Sequence, residues 1–135
     1  MSAYHEVKTQ YKDPECLVAA LGEQGYVTVE QHDIAQHLYG YRGDKREQTA
    51  NIIVRRCYVG GSANDIGYKK LADGTYEQVI SDFDKGKHNA TWLNGLKQHY
   101  TERVCLKTAK KNGLTYLGKK VVNGRVQLQW LDNRS

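Results

Sequence analysis

The sequence predicts one α+β domain over residues 1–135, a largely antiparallel sheet of about six to seven strands with two helices. The order is β-α-β, long loop, three-stranded meander, long helix and C-terminal hairpin. Three observations carry this. Asp73-Gly74 and Asn123-Gly124 each separate two β-prone runs, and both central positions of a type I′ hairpin turn need φ > 0. Asp13-Pro14 is a helix N-cap followed by the residue whose missing N–H costs nothing at that position. Leu93, Leu96, Tyr100 and Val104 recur at helical spacing.

In chain order, residues 4–11 (YHEVKTQY) alternate as a strand, and the helix after Asp13 runs to about Gln24. Leu17, Ala20 and Leu21 form its buried stripe, and Gly25 supplies the left-handed residue that ends it. Residues 26–30 (YVTVE) complete the β-α-β opening. Residues 31–50 show no sustained period and read as a long loop with a short edge strand at 37–41. A β-branched run at 52–59 opens the meander, Gly60-Gly61-Ser62 and Asn64-Asp65 break it, and 66–71 form the second strand. A two-residue turn at Asp73-Gly74 sets Lys70 opposite Glu77, Tyr68 opposite Val79 and Ile66 opposite Ser81. Asn89 caps a helix reaching about Asn112, with Gly113 beyond it. In the final hairpin Val121 faces Val126, Leu117 faces Trp130 and Leu128 faces Lys119, an apolar side directed at the core.

The chain carries a net charge of +5, unevenly spread. Residues 1–40 hold two basic and six acidic side chains, and residues 41–135 hold eighteen basic and nine acidic. Positive charge gathered in one part of a sequence points to an anionic partner. Ten tyrosines against one phenylalanine suit half-wet faces and stacking on planar ligands. No apolar run approaches membrane-spanning length, so no membrane partner is expected. The opening residues lack a basic start followed by an apolar core, and three scattered cysteines form no CxxC. Both predict reduced thiols and a cytoplasmic location.

Several short runs carry a resemblance: S-x-Y-x-E-V-K-T at residues 2–9, the Leu17-to-Leu21 helix with Gly25-Tyr26, Tyr39-Gly40-Tyr41, NDIGY at 64–68, D-G-x-Y at 73–76, and Gln98 with Tyr100. Together they resemble the domain-of-unknown-function family that includes hypothetical chloroplast reading frame thirty-five, with plastid, cyanobacterial, other bacterial and phage relatives. The resemblance implies a small soluble protein of cytoplasm or plastid stroma, and a protein partner. It implies no catalytic residue.

No enzyme chemistry is specified by the residues. The five histidines form no HExxH or i, i+4 pair, so no metal is expected. Cys57 beside Arg56 reads as a buried, inert thiol, because strand alternation turns the arginine away. VGGSANDIG joins two strands, not a strand to a helix, and so lacks the helix dipole of a phosphate loop. No cofactor is expected. The richest stretch is Tyr39, Tyr41, Arg42, Lys45 and Arg46, where rings and guanidinium forks suit a nucleotide or single-stranded nucleic acid. Arg55 and Arg56 extend it. The function expected is therefore a non-enzymatic protein that binds an anionic small molecule or nucleic acid; a phage source would narrow this to sequestering a nucleotide signal. The alternative is an adaptor or subunit that adds its sheet to a protein partner or to a second copy.

Overall fold

The computed structural model describes the backbone of residues 3–132 and, within the C-terminal hairpin, the side chains of residues 118, 119, 123–129 and 131. The elements run β1 (Tyr4–Lys8), α1 (Pro14–Glu23), β2 (Glu30–Tyr39), β3 (Lys45–Val54), a short α2 (Arg56–Val59), β4 (Ile66–Lys70) and β5 (Tyr76–Ser81). A 3-10 turn (Asp82–Lys85), α3 (Ala90–Lys111), β6 (Leu114–Val122) and β7 (Arg125–Asp132) follow. Five strands make one sheet in the order β1-β5-β4-β3-β2, every neighbouring pair antiparallel. β6 and β7 make a second sheet of two strands. The α+β class and the element order are as the sequence predicts.

Both long helices start and stop on local signals. The Asp13 carboxylate accepts the Cys16 N–H at 3.1 Å, and Asn89 accepts that of Trp92 at 3.1 Å. After α1, Gly25 takes φ 104° and the Tyr26 N–H returns to the Leu21 carbonyl at 2.9 Å, closing a Schellman motif. Gly113 does the corresponding job after α3 at φ 75°. The two helices cover one face of the sheet, where Leu17, Leu21, Ile52, Val54, Ile66, Tyr68, Ile80 and Leu96 form the main core. Tyr100 of α3 ties this face together: its ring packs on Tyr11 and its hydroxyl accepts the N–H groups of Lys12 and Asp13 at 2.9 and 3.0 Å.

The opposite face has its own cluster of Tyr4, Leu38, Ala50, Ile53 and Val79. Its cover is the outer half of the β2–β3 hairpin. A Cβ built on Gly67 would lie 2.5 Å from that of Ala50 and 3.1 Å from Leu38 Cδ2, so the hairpin rests directly on the Gly67 backbone. Its far end reaches β1, where the Arg46 guanidinium sits 5.0 Å from the centre of the Tyr4 ring.

That hairpin corrects the sequence reading of 31–50 as a loop. Residues 26–29 are not a strand; β2 starts at Glu30 and pairs with β3 through two irregularities. Between the pairs Gln31–Ile52 and Gln36–Ala50, residues 32–35 of β2 lie against Asn51 alone. The Asn51 amide donates to the His32 and Asp33 carbonyls at 3.1 and 3.2 Å and accepts the Lys70 N–H at 2.9 Å. The bulge erases the alternation by which a strand is read.

The run at 52–59 is also corrected: the strand stops at Val54 and the chain turns into α2. At the next hairpin Lys69, not Lys70, pairs with Glu77, and Tyr68 pairs with Gln78. The loop there holds three residues rather than two, with Gly74 at φ 87° and the Leu71 N–H bonded to the Thr75 carbonyl at 2.8 Å. In the C-terminal hairpin Val121–Val126 and Lys119–Leu128 pair as expected, but a shift next to Gly118 places Tyr116, not Leu117, opposite Trp130. The inward packing expected of Leu117, Val121 and Trp130 lies outside the described side chains. Val126, expected on the same inner face, is exposed.

Candidate ligand-binding surface

Asn64 and Asp65, between α2 and β4, are 0% and 1% exposed and form a polar hub. One Asp65 carboxylate oxygen accepts the Tyr39 N–H at 2.7 Å and Arg55 Nη1 at 2.8 Å, and the other accepts the Arg56 N–H at 2.7 Å. The Asp65 carbonyl accepts the buried Tyr4 hydroxyl at 2.7 Å. Asn64 accepts the Tyr41 N–H at 2.9 Å, and its side-chain amide donates to Ser81 Oγ at 2.9 Å. Ser81 in turn donates to the buried Asp84 carboxylate at 2.7 Å. Arg55 completes the set through two bonds to Glu30, at 2.7 and 2.9 Å. A carboxylate can stay buried only when paired and hydrogen-bonded, and this one is both. The Glu30 bonds and then Asp65 raise the Arg55 pKa, and the Arg55 bonds lower that of Glu30. Burial, followed by the Asp65 charge, holds the Tyr4 phenol well above its ordinary value.

The hub fixes what stands on the surface above it. Among the described residues the exposed aromatics are Tyr39, Tyr41, Tyr58 and Phe83. Tyr39 and Tyr41 are held by their own N–H groups, Tyr58 by its N–H on the Arg55 carbonyl, and Phe83 by its neighbour Asp84. Cations stand among them. The Arg42 guanidinium lies 5.3 Å from the Tyr41 ring centre, that of Arg55 lies 5.6 Å from Tyr39, and Arg56 donates to the Tyr41 carbonyl at 2.9 Å.

The model of a family described as "Protein of unknown function (DUF1257)" matches residues 20–128, a stretch that contains every residue of the hub except Tyr4. The chain belongs to the DUF1257 family. No curated protein and no solved structure matches it.

Of the residues singled out in this DUF1257 chain, Tyr39, Tyr41, Arg42, Lys45 and Arg56 gather at the β2–β3 turn and the start of α2. Arg55 also lies there but is turned onto Glu30 and Asp65, so its charge is already matched. Arg46 is directed at Tyr4 and lies 3.9 Å from Asp44, away from the tyrosine pair. Cavities of about 210 to 380 Å3 lie elsewhere, along the helices, β1, the inner part of β2–β3 and the C-terminal hairpin. The surface is a rim of rings and cations, not one of these cavities.

Sequence reasoning takes Asp65 and Asp84 for turn and cap carboxylates and does not single out Asn64, Tyr58 or Phe83. The one signal available was Asn64-Asp65 inside NDIGY, which reads equally well as turn chemistry. Cys57, expected buried, is exposed on α2. Among the described residues no cluster of His, Cys, Asp or Glu could hold a metal, and no helix is long and apolar enough to cross a membrane.

Proposed function

We propose that this DUF1257 domain is a non-enzymatic binding protein that takes an anionic ligand with a planar ring, a nucleotide or a single-stranded nucleic acid, on the rim around Tyr41. The observation that carries this reading is the placing of Arg42 over the exposed Tyr41 ring and Arg56 on its carbonyl. A ring of a base stacks on such a tyrosine, and guanidinium groups beside it meet the phosphate. Titration with nucleotides and short oligonucleotides at low salt tests it. Binding is expected to weaken about tenfold or more in Tyr41→Ala and Arg42→Ala, and to fall as salt rises. Absence of binding at low salt overturns it. Phe83 and Tyr58, 58% and 53% exposed, favour a second reading, an adaptor whose protein partner covers these rings. A partner lost on Phe83→Ser with nucleotide binding intact would select it.

A further inference from the structure

The second sheet is two strands wide, and two strands alone are marginal in water. Each of its outer edges has no strand beside it among the described residues. Exposed edges invite further strands, and natural proteins guard them with charged side chains, lysine above all, and with prolines and bulges. The two edges differ in this respect. β6 carries Lys119, Lys120 and a register shift at Gly118, whose φ is 139°. β7 reads RVQLQWLD, with no lysine, proline or glycine, and its register shift is absorbed on the β6 side. Val126 and Leu131 on it are 38% and 53% exposed.

The sequence of β7 is also nearly symmetric about Leu128. When two identical strands pair antiparallel about a two-fold axis through the sheet, paired side chains must share a face, so some residue lies opposite its own copy. Centring on Leu128 sets leucine opposite leucine, Gln127 opposite Gln129 and Val126 opposite Trp130. At these three pairs apolar positions meet apolar ones and amides meet amides, as cross-strand pairing favours, and Arg125 opposite Leu131 is the one mismatch within the strand. Centring on the next residue, Gln129, sets Gln127 against Leu131 and Val126 against Asp132, two mismatches. The strand begins with Arg125 and ends with Asp132, so antiparallel copies bring unlike charges to each end where parallel ones would bring like charges.

We propose that β7 is a dimerisation edge and that its occupant is β7 of a second copy of this chain, giving a continuous four-stranded antiparallel sheet. The test is sedimentation equilibrium of the full chain over a wide concentration range. The wild type is expected to dimerise, and Leu128→Lys and Leu128→Asp are each expected to weaken association by about tenfold or more, because like charges meet on the axis. Mixing the two variants is expected to restore the dimer, which neither misfolding nor a foreign partner strand would produce. Leu128→Cys gives a gentler check: mild oxidation is expected to link two chains through position 128. A monomeric wild type, a dimer untouched by both charge variants, or no position-128 link in the cysteine variant overturns the proposal.

Discussion

Asp65 joins three parts of the chain through one carboxylate: the end of β2 through Tyr39, the start of α2 through Arg56, and the guanidinium of Arg55. Replacing it by asparagine keeps the shape and removes the charge, leaving Arg55 with Glu30 as its one carboxylate partner and one acceptor oxygen fewer. Asp65→Asn is expected to cost about 2–3 kcal/mol in urea unfolding, with Glu30→Gln costing less because Glu30 is nearer water. His88 adds a pH dependence of known sign. Its Nδ1 faces the Asp84 carbonyl at 3.0 Å and therefore carries the proton, while Nε2 accepts the Tyr26 hydroxyl at 2.7 Å. Trp92 packs edge-on against the ring, and burial lowers the His88 pKa. The unfolded chain therefore binds a proton near pH 6.5 that the folded chain refuses until lower pH. Stability is expected to fall as pH drops from 7 through that window, and the slope to flatten in His88→Gln, read from urea midpoints at several pH values.

At the scale of elements, the β2–β3 hairpin depends on Gly67. Gly67→Ala would drive a methyl into Ala50 on the hairpin that covers it, and is expected to destabilise by about 1–3 kcal/mol. Adding Ala50→Gly removes the opposing methyl, so the double variant should recover part of that loss in a denaturation cycle. The same hairpin shows where sequence reading stops. α1 and α3 were legible because Asp13, Gly25, Asn89 and Gly113 act on their own neighbours in sequence. β2 was not, because Asn51 holds its bulge from the adjacent strand and no local pattern announces that. α2 was hidden for a related reason: the acceptor that turns the chain at Arg56 is Asp65, nine positions on and buried. The rim residues were legible by type, as tyrosines and arginines close in sequence. Which arginine stays available was not, since the carboxylates that engage Arg55 come from two other segments.

Across the whole molecule, the uneven charge of the sequence finds part of its answer inside the chain. Acids of α1 and its cap meet bases of α3: Lys107 reaches Asp13 at 2.8 Å and Glu15 at 3.5 Å, and Arg103 pairs with Glu23. These pairs are largely exposed, and exposed pairs contribute about 0–1 kcal/mol each. Raising salt is therefore expected to move the unfolding midpoint little, while affinity for the anionic ligand proposed at the Tyr41 rim is expected to fall steeply; equal sensitivity of both would tie the basic residues to folding instead. The bulge opposite Asn51 has a practical meaning of another kind. Residues 32–35 already stand outside the strand ladder, and Ile34 among them is 78% exposed. Chain length can change beside Ile34 without shifting any strand by a residue, which makes this the natural point for a genetically inserted reporter, provided that His32 and Asp33 keep their bonds to Glu30 and Asn51.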